Sequence, residues 1–133
     1  MIVADTNTIV YLMVDTEFSA LAAQAFKKDQ EWVAPLLWKS EFMNALVLYL
    51  RKKIINLAAA QDILRTAMSA ISSEFEIAPE KILSLANSST CSAYDCEFVA
   101  LAQELNVPLV TMDKRILEQF PDIAVRLDKF VNS

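Results

Sequence analysis

Short apolar runs alternate along this chain with longer segments in which apolar residues recur every three or four positions. The opening run, Met1 to Asp5, is apolar up to its final acid, which is typical of a buried parallel strand that delivers a carboxylate at its carboxyl end. Comparable short runs predict further strands at Trp32–Ala34, Phe75–Ala78, Leu109–Thr111 and Ala124–Leu127.

The segments between these runs have the spacing of amphipathic helices, with one apolar stripe along each segment. The predicted helices are Thr6–Met13, a segment around Phe18–Phe26, Leu37–Lys53, Ala58–Ile71, Pro79–Asn87, a helix capped by Ser92 that ends near Leu105, and Lys114–Phe120. Asn106 is expected to take the left-handed position that follows a helix. A short turn joins Leu37–Lys53 to Ala58–Ile71, so these two helices should form an antiparallel hairpin.

Strands that alternate with helices predict an α/β fold, with a central parallel sheet in a three-layer α/β/α arrangement. The length of 133 residues suits one domain that covers the whole chain, 1–133. Binding sites in such folds lie beyond the carboxyl ends of the strands. We therefore expect candidate chemistry where Asp5 and Asp113 follow their strands.

Two missing residue types narrow the possible chemistry. The chain contains no histidine, which excludes imidazole acid–base catalysis, His-activated nucleophiles and imidazole metal ligands. It also contains no glycine, which excludes the Gly-rich phosphate loops of Rossmann and P-loop proteins, so no nucleotide cofactor is expected. Any metal must then be held by oxygen, which favours Mg²⁺, with Mn²⁺ as a substitute.

Hydropathy, cysteine content and charge limit the setting in which the protein acts. No apolar stretch reaches the roughly 20 residues of a membrane-spanning helix, and no basic region precedes the first apolar run, so we expect a cytoplasmic protein. Cys96 shares the helical pattern of Val99 and Ala100 and is expected to be a buried or half-buried thiol, and a disulfide or zinc site formed by Cys91 and Cys96 is not expected. The net charge of −5 disfavours a broad basic face for nucleic acid, although bound cations would offset the charge locally.

Four acids are candidate site residues, and each also has an ordinary structural role. Asp5 and Asp113 directly follow strands, where an aspartate can simply cap the next helix. Glu41 lies in the first turn of a helix, where it can interact with the helix dipole. Asp95 follows Ser92 at the spacing of a capping box. No single position is specific for a metal site.

Read together, the segments around these acids are more specific. In chain order they are Ile2-Val-Ala-Asp5-Thr6-Asn7, Ser40-Glu41-Phe-Met-Asn44-Ala45-Leu46, Ser92-Ala-Tyr-Asp95-Cys-Glu-Phe-Val-Ala-Leu101-Ala102 and Asn106-Val-Pro-Leu-Val-Thr111-Met-Asp113-Lys-Arg. With this order and spacing the chain resembles the PIN domain family, most closely its VapC-type toxin branch. The resemblance covers nearly the whole chain, although Ile54 to Pro79 carries no motif. Asn106 and Cys96 replace a glycine and a small residue that are common in the family.

The resemblance implies a PIN-like fold and a Mg²⁺-dependent endoribonuclease that hydrolyses RNA phosphodiester bonds, as the toxin of a type II toxin–antitoxin pair. In that family the corresponding acids bind one or two divalent ions and activate water. The acids expected to bind metal and catalyse the reaction are Asp5, Glu41, Asp95 and Asp113. The neighbours expected to hold these carboxylates by hydrogen bonds are Thr6, Asn7 and Thr111. Candidate contacts to RNA phosphates are Lys114, Arg115 and Lys39, with the cluster Arg51–Lys53 as a further possibility.

The resemblance also implies a small cognate antitoxin and a homodimer. The predicted hairpin Leu37–Ile71 carries Trp38, Met43, Leu48 and Met68 in addition to its core-facing stripe. Such a surplus of large apolar residues indicates an apolar groove for a partner, unless these residues belong to the core.

Two other functions compete with a toxin nuclease. One is a stand-alone or non-cleaving PIN-like module that binds RNA or a partner protein. The other is a receiver-like signalling domain that binds Mg²⁺ at strand ends. A receiver requires adjacent acids after its first strand, whereas Asp5 stands alone.

Overall fold

The computed structural model describes all 133 residues as five strands and eight helices. The strands are β1 (Ile2–Ala4), β2 (Trp32–Val33), β3 (Ile71–Ser72), β4 (Leu109–Thr111) and β5 (Ala124–Arg126). The helices are α1 (Thr6–Met13), α2 (Ser19–Lys28), α3 (Trp38–Arg51), α4 (Leu57–Ala70), α5 (Pro79–Asn87), α6 (Ala93–Leu105), α7 (Lys114–Gln119) and α8 (Leu127–Val131).

The strands form one parallel sheet in the order β3-β2-β1-β4-β5. The chain moves outward from β1 through β2 to β3, then crosses back to β4 on the other side of β1. This reversal between β1 and β4 opens a crevice at their carboxyl ends, which is where ligands bind in such folds. The order also differs from the 2-1-3-4-5 order of receiver-like domains and thereby removes that alternative.

Helices cover both faces of the sheet, which confirms the predicted three-layer α/β/α fold. On one side α1 contacts α2, α3 and α4, and α8 packs on α2. A separate pair, α5 and α6, packs together, and α6 contacts β1 and β4. Every residue of β1 and β4 is buried, as expected for central strands of a parallel sheet.

Helix ends agree closely with the capping signals in the sequence. Helices α1 and α5 have the predicted bounds, and the Ser92 hydroxyl caps α6. Asn106 ends that helix in the left-handed conformation, with φ 54° and ψ 49°. Asparagine therefore takes the place that glycine usually occupies after a helix.

Two predictions near the sheet edge were wrong. Phe75–Ala78 forms no strand; its apolar side chains pack against the core from a loop, and β3 is instead Ile71–Ser72, where Ile71 pairs with Trp32. The predicted final strand extends only to Arg126, because Leu127 begins the helix α8, which the sequence analysis missed. Phe75–Ala78 alternates apolar and polar residues as a strand does, and the segment that forms α8 is too short to show helical periodicity. Neither segment could be assigned without knowledge of its neighbours in the fold.

The core is one cluster of 27 buried residues. Cys96 is buried, as predicted, and Cys91 is buried as well; both are free thiols. The expectation that Trp38 belongs to a partner surface was wrong: its side chain is fully buried and lies edge-on to Phe42, with ring centroids 5.6 Å apart. The other three surplus apolar residues of the hairpin are exposed. None of the helices combines the length and the hydropathy required to cross a bilayer.

The burial of Trp38 predicts a large difference between two substitutions on α3. Trp38→Ala should lower the free energy of unfolding by about 3–5 kcal/mol, because it leaves a cavity in the core. Met43→Ala, at a position that is 43% exposed, should lower it by about 1 kcal/mol or less. Urea denaturation of both variants measures the difference, and equal losses would show that Trp38 is not a core residue.

Candidate active site

The four predicted acids line one pocket at the carboxyl edge of the sheet. The pocket has a volume of about 310 Å³ and is lined by Asp5, Thr6, Asn7, Glu41, Asn44, Ala45, Leu48, Asp95, Phe98 and Asp113. Asp5 directly follows β1 and Asp113 lies two residues after β4, so the crevice between these strands brings both side chains to the same place. No lysine or arginine lines the pocket.

Each of the four acids lies at the N-terminus of a different helix. Asp5 and Asp113 are the N-caps of α1 and α7. Glu41 and Asp95 lie in the first turns of α3 and α6. Helix N-termini carry partial positive charge, which stabilises carboxylates nearby and offsets part of the repulsion among the four acids.

Asp5 is the most buried of these acids and is 7% exposed. Its Oδ1 accepts hydrogen bonds from the Thr8 backbone N–H at 2.9 Å and from the Thr8 hydroxyl at 2.6 Å. Its Oδ2 accepts a hydrogen bond from the Thr111 hydroxyl. Burial raises the pKa of Asp5, and these hydrogen bonds counteract only part of that rise.

Thr8 is a site residue that the sequence analysis missed. Its side chain is fully buried, and its hydroxyl also lies 3.1 Å from the Val110 carbonyl oxygen, so it connects α1 to β4. The spacing Asp5-x-x-Thr8, in which an N-cap precedes a hydroxyl residue at the third helical position, was the available signal.

Thr111, a predicted neighbour of Asp113, links the two acids at the strand ends. Its hydroxyl donates to Asp5 and accepts a hydrogen bond from the Asp113 backbone N–H at 3.0 Å. The Oδ1 of Asp113 accepts from the Ile116 backbone N–H at 3.0 Å and so caps α7. Capping and a place in the pocket therefore coexist, since capping occupies only one carboxylate oxygen of Asp113.

Glu41 is half-buried and is held by a predicted neighbour. Its Oε1 accepts a hydrogen bond from the Thr6 hydroxyl at 2.7 Å. Burial raises the pKa of Glu41, and the negative charges of Asp95 and Asp5 raise it further. Burial also raises the pKa of Glu97, with a contribution from the charge of Glu41, so the sequence analysis missed a fifth acid close to the site.

Asp95 uses its backbone rather than its carboxylate in the cap of α6. Its N–H donates to the Ser92 hydroxyl at 3.0 Å, but its side chain forms no return hydrogen bond to Ser92. The capping box is thus only half formed. The Asp95 carboxylate remains free to face the pocket.

The remaining predicted residues lie in different places. Asn7 lines the pocket without a hydrogen bond to any of the acids. Lys114, Arg115 and Lys39 do not line it. The Arg115 guanidinium donates to the Thr90 carbonyl oxygen at 3.2 Å, and Lys39 lines a separate pocket beside Met68.

The donor set of the pocket fits a hard divalent cation. All four ionisable side chains are carboxylates, and no basic side chain competes with a metal for them. No group of three or more acidic, histidine or cysteine side chains lies close enough to hold one ion. Mg²⁺ commonly keeps several waters and binds through one or two carboxylates, so acids spread around a pocket suit its coordination.

Comparison with known proteins gives both a family match and structural relatives. The family model described as PIN domain matches residues 2–123. The crystal structure of PAE2754 from Pyrobaculum aerophilum is similar with a TM-score of 0.80 and 20% identity, over 98% of this chain and 93% of that chain. A toxin–antitoxin complex from Klebsiella pneumoniae is similar with a TM-score of 0.72 and 20% identity, over 96% of this chain and 98% of that chain. At this identity the two structures support the fold alone. No curated protein sequence matches the chain significantly.

The raised pKa of Glu41 predicts how stability depends on pH in the absence of metal. Protonated Glu41 is favoured in the folded state, so its stabilising effect is present below the ordinary pKa of 4.5 and is lost as the pH rises through the raised value. In EDTA, Glu41→Gln should therefore gain melting temperature relative to the unsubstituted chain as the pH rises from about 4 to 7. Calorimetry across this range measures the gap, and a gap that shrinks with pH would contradict the assignment.

Proposed function

Because this chain belongs to the PIN domain family, we propose that it is a Mg²⁺-dependent endoribonuclease and the toxin of a type II toxin–antitoxin pair. PIN domains are generally nucleases. The observation that carries the proposal for this chain is the pocket of four carboxylates, drawn from four helix N-termini and lined by no basic side chain. RNA as the substrate, and the cytoplasm as the place of action, follow from the resemblance to VapC-type toxins.

Each acid has a distinct role in this proposal. Hydrogen bonds from Thr8 and Thr111 fix the Asp5 carboxylate at one side of the site. The Thr111 hydroxyl also accepts from the Asp113 backbone N–H and so keeps Asp113 beside Asp5. Glu41 is aimed by Thr6, while the free carboxylate of Asp95 completes the set. These carboxylates would hold a divalent cation, which would supply Lewis-acid chemistry for activating water and stabilising charge on phosphoryl oxygens. Without a cation, the raised pKa values of Asp5 and Glu41 favour protonation and thereby relieve repulsion.

We predict that the purified protein cleaves RNA only with Mg²⁺ or Mn²⁺ present, and that Asp95→Asn abolishes cleavage. The substitution keeps the backbone N–H that bonds to Ser92 and removes one like charge, so metal-free stability should be unchanged or higher. Glu104→Gln, at an exposed position of the same helix, is the matched control and should cleave normally. A fluorogenic RNA cleavage assay and thermal melting in EDTA provide the two readouts.

Three results would contradict this prediction. Cleavage by a pure sample that resists EDTA would exclude the metal mechanism. A large fall in the metal-free melting temperature of Asp95→Asn would show that the charge of the Asp95 carboxylate mainly stabilises the N-terminus of α6. RNA that is bound but never cleaved, with Mg²⁺ present, would instead favour the non-cleaving PIN-like module.

The partner proposed for this chain is a small antitoxin that inserts an apolar segment between α3 and α4. A groove of about 200 Å³ lies there, and seven of its eight lining residues are hydrophobic, including Met43, Val47 and Leu57. Such a groove suits the apolar face of an amphipathic helix. Leu48, expected at this surface, lines the acidic pocket instead. We also propose a homodimer, as the family resemblance implies.

Leu57→Glu should abolish co-purification with the product of an adjacent antitoxin gene, because it places a charge in the apolar groove. Its side chain is 62% exposed, so the melting temperature of the isolated chain should change little. Ala58→Glu is the matched control, since position 58 is exposed and lies outside the groove. Unchanged co-purification of Leu57→Glu would exclude this groove.

Light scattering on the isolated chain tests the proposed homodimer. A strict monomer at high micromolar concentration would exclude the homodimer.

A further inference from the structure

A second cleft continues directly from the acidic pocket. It has a volume of about 260 Å³ and is lined by Asn7, Val10, Tyr11, Ala45, Leu48, Tyr49 and Lys52. Three of these residues, Asn7, Ala45 and Leu48, also line the acidic pocket. The two cavities therefore form one continuous path. We call the second cavity, lined by the seven residues named above, the α1–α3 cleft.

The cleft is built from one stripe of each flanking helix. Along α3, Glu41, Ala45, Leu48 and Lys52 recur at helical spacing, so a single face runs from the acids to the lysine. Glu41 and Lys52 are eleven positions apart, or about 16 Å along the helix axis at 1.5 Å per residue. The path thus changes along its length from acidic, through apolar and aromatic, to basic.

Two tyrosines form the middle of this path. Tyr11 projects from α1 and Tyr49 from α3, and both are half-buried. The Tyr11 ring is held against Phe18, with ring centroids 5.0 Å apart. Beside them Leu48 is 53% exposed and adds an apolar surface next to the acids. Aromatic rings with apolar neighbours are the surfaces on which unpaired nucleobases stack.

We propose that the α1–α3 cleft is a nucleobase subsite, which binds an unpaired base of a single-stranded RNA next to the phosphodiester that enters the acidic pocket. The base stacks on Tyr49 and contacts Tyr11, and Lys52 binds a phosphate further along the strand. This inference rests on the proposed nuclease function and specifies its substrate as a single-stranded segment or loop.

The charge distribution supports RNA as the occupant rather than a protein segment. The cleft contains one basic and no acidic side chain, although the chain as a whole carries a net charge of −5. A strand that leaves the acids would therefore meet its first cation at Lys52. Bases in an A-form duplex are already stacked and paired, so only an unpaired base can enter a cleft between two helices.

Binding of a fluorescent RNA tests stacking directly. The probe is a single-stranded oligouridine octamer with one 2-aminopurine, whose fluorescence falls when it stacks on an aromatic ring. In the Asp95→Asn background with Mg²⁺, we expect quenching at a particular probe position. Tyr49→Leu should remove the quenching and weaken binding by about tenfold. Tyr49→Phe keeps the ring and should retain both.

Salt dependence tests the phosphate contact. Lys52→Ala should reduce the slope of log affinity against log salt concentration by about 0.7, the value for one phosphate contact to a single strand. Lys27→Ala removes an exposed lysine of α2 that lies outside the cleft and should leave the slope unchanged. Equal slopes for both variants would overturn the role of Lys52.

The two proposals fail in distinguishable ways. If the unsubstituted chain cleaves RNA while Tyr49→Leu binds and quenches the probe like Tyr49→Phe, the subsite is wrong and the nuclease stands. That result would favour a protein segment, rather than a nucleobase, as the occupant of the α1–α3 cleft. If quenching depends on Tyr49 but no cleavage occurs with Mg²⁺, the subsite stands and the nuclease is wrong. Thermal melting of each variant verifies that the fold is intact.

Discussion

Four carboxylates that line one pocket repel one another, and no basic side chain lines that pocket to offset their charge. The chain counters this repulsion with local dipoles and hydrogen bonds. Each acid lies at a helix N-terminus, and three threonine hydroxyls donate to Asp5 or Glu41. These contacts offset only part of the cost of placing the negative charges there, because the pKa of Asp5 and that of Glu41 both remain raised. The site is therefore prepared for an external positive charge.

The sheet topology determines where this constraint acts. Reversal of the strand order between β1 and β4 brings Asp5 and Asp113 together from opposite ends of the sequence. The Thr111 hydroxyl donates to Asp5 and so joins the end of β4 to the end of β1, and the Thr8 hydroxyl that holds Asp5 also lies close to the Val110 carbonyl oxygen of β4. Glu41 and Asp95 enter from helices on different faces of the sheet, α3 and α6. Structural support and candidate chemistry thus share the same residues.

Local signals made much of the fold predictable from sequence, whereas the four acids of the pocket were selected by the resemblance to the PIN domain family rather than by any single position. Apolar runs that end in an acid located β1 and the site beyond it, and capping residues such as Ser92 and Asn106 located helix ends. Predictions failed where the outcome depends on distant partners. The segment Phe75–Ala78 alternates like a strand, but Ile71 takes the place beside β2. The burial of Trp38, by contrast, agrees with the periodicity, since Trp38 lies four residues before Phe42 and eight before Leu46 on the buried stripe of α3.

Manganese binding in a crystal is the sharpest test of whether these four acids hold a cation, because Mn²⁺ substitutes for Mg²⁺ and scatters anomalously. We expect an anomalous peak in the pocket, coordinated by at least two of the four carboxylates of Asp5, Glu41, Asp95 and Asp113, and its loss in Asp95→Asn crystals. An empty pocket at saturating Mn²⁺, or a peak held by acids outside this pocket, would show that these carboxylates do not form the metal site.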